Sequence, residues 1–305
     1  MPETSLKRSP APIALFAYRR LGHLERTVEA LKANELASES DLFIFSDGPR
    51  SSVDKAGVDG VRNYIAGIGG FRSVQTVFHA TNLGLSRSII QGVTDIINAR
   101  GRLIVLEDDI VTSRHFLKYM NDALDLYADA ACVASVHGYV YPLQEFLPDT
   151  FFLKGADCWG WGTWKRAWDL FEVDGSKLLK ELTKRRLQRE FDYGGVANYT
   201  RMLKLQIDGL NDSWAVRWYA SAFLRDMLTL YPGRSLVRNI GNDSSGQHCG
   251  TTDVYDVGDV SDSGLAVNMQ PLEECRAARI AFARYFRSLE RDTFLRSIMR
   301  WFKYL

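Results

Sequence analysis

Residues 102–113 read RLIVLEDDIVTS. Leu103, Ile104, Val105 and Leu106 run directly into Glu107, Asp108 and Asp109, and the chain turns apolar again at Ile110. A short unbroken apolar run is how a strand covered on both faces reads, and such strands belong to parallel sheets. Three adjacent carboxylates at its end repel one another and cost desolvation energy unless something positive lies beside them. Side chains alternate along a strand, so Glu107 and Asp109 are expected on one face and Asp108 on the other. Two readings stand: an acidic turn capping a helix that starts near Ser113, or a site for a hard cation such as Mg2+ or Mn2+, which favours oxygen ligands.

The same rhythm occurs three times upstream. Residues 12–18 (PIALFAY), 41–47 (DLFIFSD) and 73–79 (SVQTVFH) read as strands covered on both faces. Between the four strands, apolar residues fall at helical spacing: Leu21, Leu24, Val28 and Leu31; then Val58, Val61 and Ile65; then Leu85, Ile89, Val93 and Ile96. The strands start roughly 30 residues apart, the length of one strand-helix-strand unit. This predicts an α/β fold, a mostly parallel Rossmann-like sheet flanked by helices, with all four strand ends on one edge. Ligands bind at that edge in open α/β sheets. Further on, ACVASVHGYV and FFLKGAD read as strands, 176–191 as a charged helix, 214–228 as an aromatic helix and 241–263 as a polar loop. One continuous domain is expected: a nucleotide-binding half over 1–137, an acceptor-binding half over 138–270 and a basic C-terminal helix over 271–305.

The 305 residues are 46% apolar and 25% charged, enough for a sizeable core. The net charge of +1 excludes a nucleic-acid partner of the bulk electrostatic kind. Cys132, Cys158, Cys249 and Cys275 are scattered, with no C-x-x-C pair, which fits a reducing compartment. The opening MPETSLKRSPAP lacks a signal-peptide core, and no run reaches the ~18 apolar residues of a membrane span. A cytoplasmic protein is expected. Residues 276–305 carry eight Arg or Lys against two acids, interleaved with Phe282, Phe286, Leu289, Phe294, Ile298, Trp301 and Phe302. Two readings stand for this tail: an amphipathic helix in peripheral contact with an anionic membrane, or a helix packed on the domain.

Other chemistry-bearing residues coincide with the strand ends. Arg19 and Arg20 follow the first strand, Asp47 ends the second, and NLGLSRS, with Asn82, Gly84 and Arg87, follows the third. They supply cations for phosphate, a carboxylate for a base or ribose, and a tight turn. Singly, each reads equally well as a solvated helix start, a turn residue or a cap; four on one edge point to a site.

In their order, FAYRR...HLERTVEAL, FSDGPR, NLGLSRSIIQGV and LEDDIVTSRHFLKYMNDAL resemble glycosyltransferases of the GT-A type. The likeness is to bacterial family-2-like sugar transferases and, more distantly, to the N-acetylglucosaminyltransferase I group, which carries the same E-D-D. It extends over residues 12–248. It implies a nucleotide-sugar donor, with UDP the expected nucleotide, a glycan or glycolipid acceptor, and bacterial surface polysaccharide or glycolipid synthesis. Arg19 or Arg20 would contact the diphosphate and Asp47 would read the nucleobase. Asn82, Gly84 and Arg87 would line the ribose and phosphate side. Glu107 and Asp108 would hold ribose and donor sugar, and Asp109 would ligate Mn2+ or Mg2+. Where D-x-D is the common pattern, this chain has Glu107 at the first position.

Two later segments join the resemblance. GADCWGWGTW (155–164) is similar to the glycine-bearing loop beneath the donor sugar, although core packing accounts for at least two of Trp159, Trp161, Trp164 and Trp168. GLNDSWAVRW is similar to an acidic motif opening an acceptor-side helix. Asp212 would then be the catalytic base, with Asp208 a spare, and a helix N-cap is its other reading. His248, in NDSSGQHCG, is either a late metal or diphosphate ligand or a surface residue. A single base with no evident second carboxylate implies inversion at the anomeric carbon. Two rivals remain: a carbohydrate- or partner-binding module on a transferase fold, and a sugar-nucleotide nucleotidyltransferase, which wants a Gly-rich loop that FAYRRLGH lacks.

Overall fold

The computed structural model describes residues 9–243, 253–260 and 262–302, with side chains through Leu289. The first half alternates as the apolar rhythm predicts: β1 (Ile13–Ala17), α1 (Leu21–Lys32), β2 (Asp41–Ser46), α2 (Ser52–Ile65), β3 (Ser73–Phe78), α3 (Leu85–Arg100) and β4 (Arg102–Glu107). A short β5 (Ile110–Thr112), α4 (Phe116–Leu126), β6 (Val133–His137), β7 (Thr150–Lys154) and β8 (Trp161–Trp164) follow. Then come α5 (Lys165–Trp168), α6 (Gly175–Lys184), α7 (Gln188–Phe191), α8 (Tyr199–Ile207) and α9 (Trp214–Phe223). The chain continues through β9 (Leu228–Pro232) and β10 (Val237–Asn239) to α10 (Arg276–Phe302).

Eight strands form one sheet in the order β3-β2-β1-β4-β8-β6-β9-β7. β1 to β4 are mutually parallel, and β6 pairs parallel with β9. β8 and β7 run antiparallel to their neighbours. The sheet is thus mostly parallel and flanked by helices. Alternation along β1 shows how it is covered: Ile13 and Leu15 pack with Leu24, Val28 and Leu31 of α1, whereas Ala14 and Phe16 pack with Ile89 and Val93 of α3. Burying a side chain of this kind contributes roughly 1.5–3 kcal/mol, so the two-sided burial of β1 outweighs any local turn preference around it.

The structure departs from the sequence reading in four places, one in the first half and three in the second. β3 was expected to be covered on both faces, but it is the outermost strand, and Gln75 to Phe78 are exposed. WGWGTW was read as a loop, yet Trp161–Trp164 is a strand between β4 and β6. The expected helix over 176–191 is two helices, separated where Arg186 turns to φ 58°. The aromatic helix ends at Phe223, and Leu228–Pro232 is a buried strand. The tryptophans divide by role. Trp161, Trp164 and Trp168 are buried, and Trp161 stacks on Trp214 at 5.4 Å, which leaves Trp159 facing the site described below. In the first part of α10, Phe282 and Phe286 are spent on the core beside α8 and α9, as in the packed-helix reading. No described helix is long and apolar enough to cross a membrane.

Candidate active site

A cavity of about 580 Å3 opens at the carboxyl ends of β1, β2 and β4. Parallel strands ending on one edge bring Arg19 and Arg20, Asp47, and Glu107 to Asp109 to its wall. Asn82 and Gly84 join them from the turn before α3, and Asp212 from the turn before α9.

The acidic triplet does not alternate as expected. β4 ends at Glu107, so the strand geometry no longer governs the next two residues. Asp108 and Asp109 converge on one guanidinium instead: Arg20 Nη2 lies 2.5 Å from Asp108 Oδ1 and 2.6 Å from Asp109 Oδ2. Asp108 also accepts the Tyr18 backbone N–H. Burial, with Asp109 and Asp108 nearby, pushes the Glu107 carboxyl up to about 8. Burial pushes Asp108 up to about 6 despite the opposing pull of Arg20. Arg20 is itself held above its ordinary value, because the two carboxylates outweigh its desolvation. One cation facing three carboxylates leaves the set short of positive charge.

This imbalance has a stability consequence. A carboxyl whose folded pKa is raised binds more protons folded than unfolded between its ordinary value and its folded value, so stability falls as pH rises across that window. For Glu107 the window runs from 4.5 to about 8. Glu107→Gln is expected to melt higher than the parent at about pH 9, by something on the order of 1–3 kcal/mol, with the difference vanishing near about pH 5. A constant offset at both pH values in thermal melts would show that Glu107 carries no such strain.

The remaining residues take these places. Arg19 reaches sideways to Asp54 at 2.7 Å while lining the cavity. Asp47 is buried, and its oxygens accept from the backbone N–H of Gly48, Leu83 and Gly84 and from Asn82 Nδ2. These bonds tie the turn before α3 to the end of β2. Gly84 sits at φ 81°, a conformation that favours glycine, and its Cα faces Asp212. Arg87 is not in the cavity; one helical step on, it borders a separate shallow pocket on the far side of Asp212. His248 lies outside the described residues.

Asp212 is free of the capping role. Ser213 is the N-cap of α9, its Oγ accepting the Val216 N–H at 3.2 Å. Asp212 is 61% exposed, toward the cavity, with Arg217 Nη2 3.7 Å from Oδ1. Arg217 is buried and bonded to Ser86 Oγ, Val173 O and Ser213 O, which locks the start of α9 onto α3. Asp208 ends α8 and does not line the cavity.

Three contributors escaped the sequence reading. Arg217 lies in the quoted stretch GLNDSWAVRW but had no role assigned to it. Arg201, on α8, lines the cavity but looks like any surface arginine. Gly241 packs against the triplet, where a Cβ would collide with the Asp109 carboxylate and crowd Arg20. Its only signal was a glycine in a polar loop.

A divalent cation can be tested against this wall. Among the described residues no three His, Cys, Asp or Glu side chains form a ready metal cluster. The donors present are nonetheless the hard carboxylate oxygens that Mg2+ and Mn2+ prefer, in excess over the one cation beside them, and the absence of a Cβ at Gly241 lets Asp109 occupy its place there. The residues fit the ion, with Arg20 required to give up Asp109.

No protein-family model matches the chain, and no curated protein matches it. Among solved structures it is similar to the mannosyltransferase PcManGT from Pyrobaculum calidifontis, in complex with GDP-Man and Mn2+. That match has 12% identity over 44% of this chain and 37% of that one, with a TM-score of 0.35. It is also similar to a cytidylyltransferase from Leptospira borgpetersenii, at 12% identity over 55% and 66% of the two chains and a TM-score of 0.33. The chain therefore spans less than two-thirds of either neighbour, and likeness this slight carries neither one's chemistry across.

Proposed function

We propose that this chain is a glycosyltransferase that moves a sugar from a nucleotide diphosphate donor, UDP the first candidate, to a hydroxyl acceptor with inversion. One observation carries the reading: a cation-poor carboxylate cluster and an uncommitted carboxylate, Asp212, face one cavity at the strand ends. The cluster suits a metal-bound diphosphate, and Asp212 suits a base.

Asp109, with Glu107 and Asp108 beside it, would hold Mn2+ or Mg2+; when bound, the ion supplies a Lewis acid that offsets charge on the leaving diphosphate. Arg20 would leave Asp109 and become available to the diphosphate. Breaking a buried pair without replacement costs about 3–5 kcal/mol, so this exchange would be opposed unless a cation took over Asp109. Donor binding is accordingly metal-dependent. The turn pinned by Asp47, with Asn82 and Gly84, shapes the nucleotide end. Cys158 and Trp159 also line the cavity. Asp212 accepts the acceptor hydroxyl proton as attack begins, and Arg217, 3.7 Å away, keeps that carboxylate aimed.

A thermal-shift screen of nucleotide sugars tests the reading. At a ligand concentration about 100 times Kd, binding adds about 2.7 kcal/mol of stability. One nucleotide sugar is expected to raise the melting temperature with Mn2+ and not with EDTA. Slow Mn2+-dependent hydrolysis of the same donor is expected too, which a pure binding module would not show. No shift with any donor would set the transferase reading aside.

A further inference from the structure

The acceptor end of the cavity has a composition of its own. Asn198, Arg201, Met202 and Leu205 line it from the N-cap and body of α8, at the i, i+3, i+4, i+7 spacing of one helix face. The opposite face of α8, with Thr200 and Leu203, is buried against α6 and its neighbours. The lining face is therefore presented to the cavity by the helix's own packing. Leu85 closes the wall from the start of α3. Met202 and Leu85 are 39% and 40% exposed, much for large apolar side chains beside a site.

The α8 face, apart from Asn211, Asp212 and Ser213 of the following turn, is poorly made for a neutral polyol. Sugar hydroxyls need acceptors as well as donors, and arginine and leucine offer no acceptor while methionine offers a weak one. Only Asn198 among the four supplies a good one. Charge is also divided along the cavity. Glu107, Asp108 and Asp109 crowd the β4 end, where an anionic acceptor would be repelled. At the α8 end, Asp212 has Arg217 beside it. Arg19 and Arg20 are already paired with carboxylates, whereas Arg201 has no ion-pair partner among the described residues.

We infer, resting on the transferase reading above, that the acceptor is an anionic amphiphile: a hydroxyl compound with an apolar portion against Met202, Leu205 and Leu85 and a carboxylate or phosphate on Arg201. The charge sets its orientation and keeps the reacting hydroxyl beside Asp212.

Calorimetric titration of the full chain with octyl β-D-glucuronide, octyl phosphate, octyl β-D-glucoside and methyl β-D-glucuronide tests this. An octyl anion is expected to bind about tenfold or more tightly than the neutral glucoside and than the methyl glucuronide. Whether the glucuronide or the phosphate is preferred identifies the anion. Arg201→Ala should abolish the preference for charge, and Met202→Ser with Leu205→Ser the preference for the octyl chain. Equal binding of charged and neutral octyl probes, or a charge preference that survives Arg201→Ala, overturns the inference. UDP with Mn2+, titrated into the same preparation, separates the two levels. If it, or another nucleotide diphosphate from the thermal-shift screen, binds while no octyl anion does, only the acceptor inference falls; if none of them binds either, the transferase reading falls with it.

Discussion

Asp212→Asn is expected to bind donor as the parent does and to lose transfer by about 10²–10⁴-fold, the usual contribution of a positioned general base. The loss should fall on kcat, because the amide keeps the size and place of the carboxylate but cannot take a proton. Ser213→Ala is the informative control. Loss of the α9 cap contact costs about 1 kcal/mol of stability and leaves the carboxylate in place. If the two variants behaved alike, with normal turnover and a small stability loss, Asp212 would be structural. The geometry already separates them: the hydroxyl of Ser213 meets the Val216 N–H, and the carboxylate of Asp212 faces the cavity.

Asp109→Asn is expected to cost about 10²–10³-fold or more in turnover, comparable to removing a principal electrostatic contact to a developing charge. It should also remove the dependence of donor binding on Mn2+. The folded chain should survive the change, because Arg20 retains Asp108. Retention of both metal dependence and turnover by this variant would move the ion to another place in the cavity.

How much of this was legible beforehand follows from what each segment had to signal. β1, β2 and β4 showed as unbroken apolar runs because helices cover both their faces, and regular spacing placed their ends on one edge. β3 reads alike but lies at the sheet margin; SVQTVF does not disclose how many neighbours a strand has. β8 was hidden because Trp161, Gly162, Thr163 and Trp164 lack the β-branched run that marks strands, and its place is set by β4 and β6. β9 was hidden because α9 is buried almost all round, so no change of period separates WAVRWYASAF from LTLYP.

The site divides in the same way. The carboxylates and arginines were visible as types at strand ends. Their pairings were not, since Arg20 meets Asp108 and Asp109, and Gly241 meets Asp109, only once the sheet is assembled. Asp47 shows the same limit: sequence marks a carboxylate at a strand end, and the fold supplies the Leu83 and Gly84 N–H groups that it accepts from.

The central claim is that the carboxylates after β4 exchange Arg20 for a divalent cation shared with a diphosphate. Crystals grown with UDP and Mn2+, with anomalous data collected for manganese, test it most directly. The account predicts an anomalous peak bonded to Asp109 and the diphosphate, with the Arg20 guanidinium moved from Asp109 to a phosphate oxygen. UDP bound in the cavity with no manganese peak, and Arg20 still bridging Asp108 and Asp109, would contradict it.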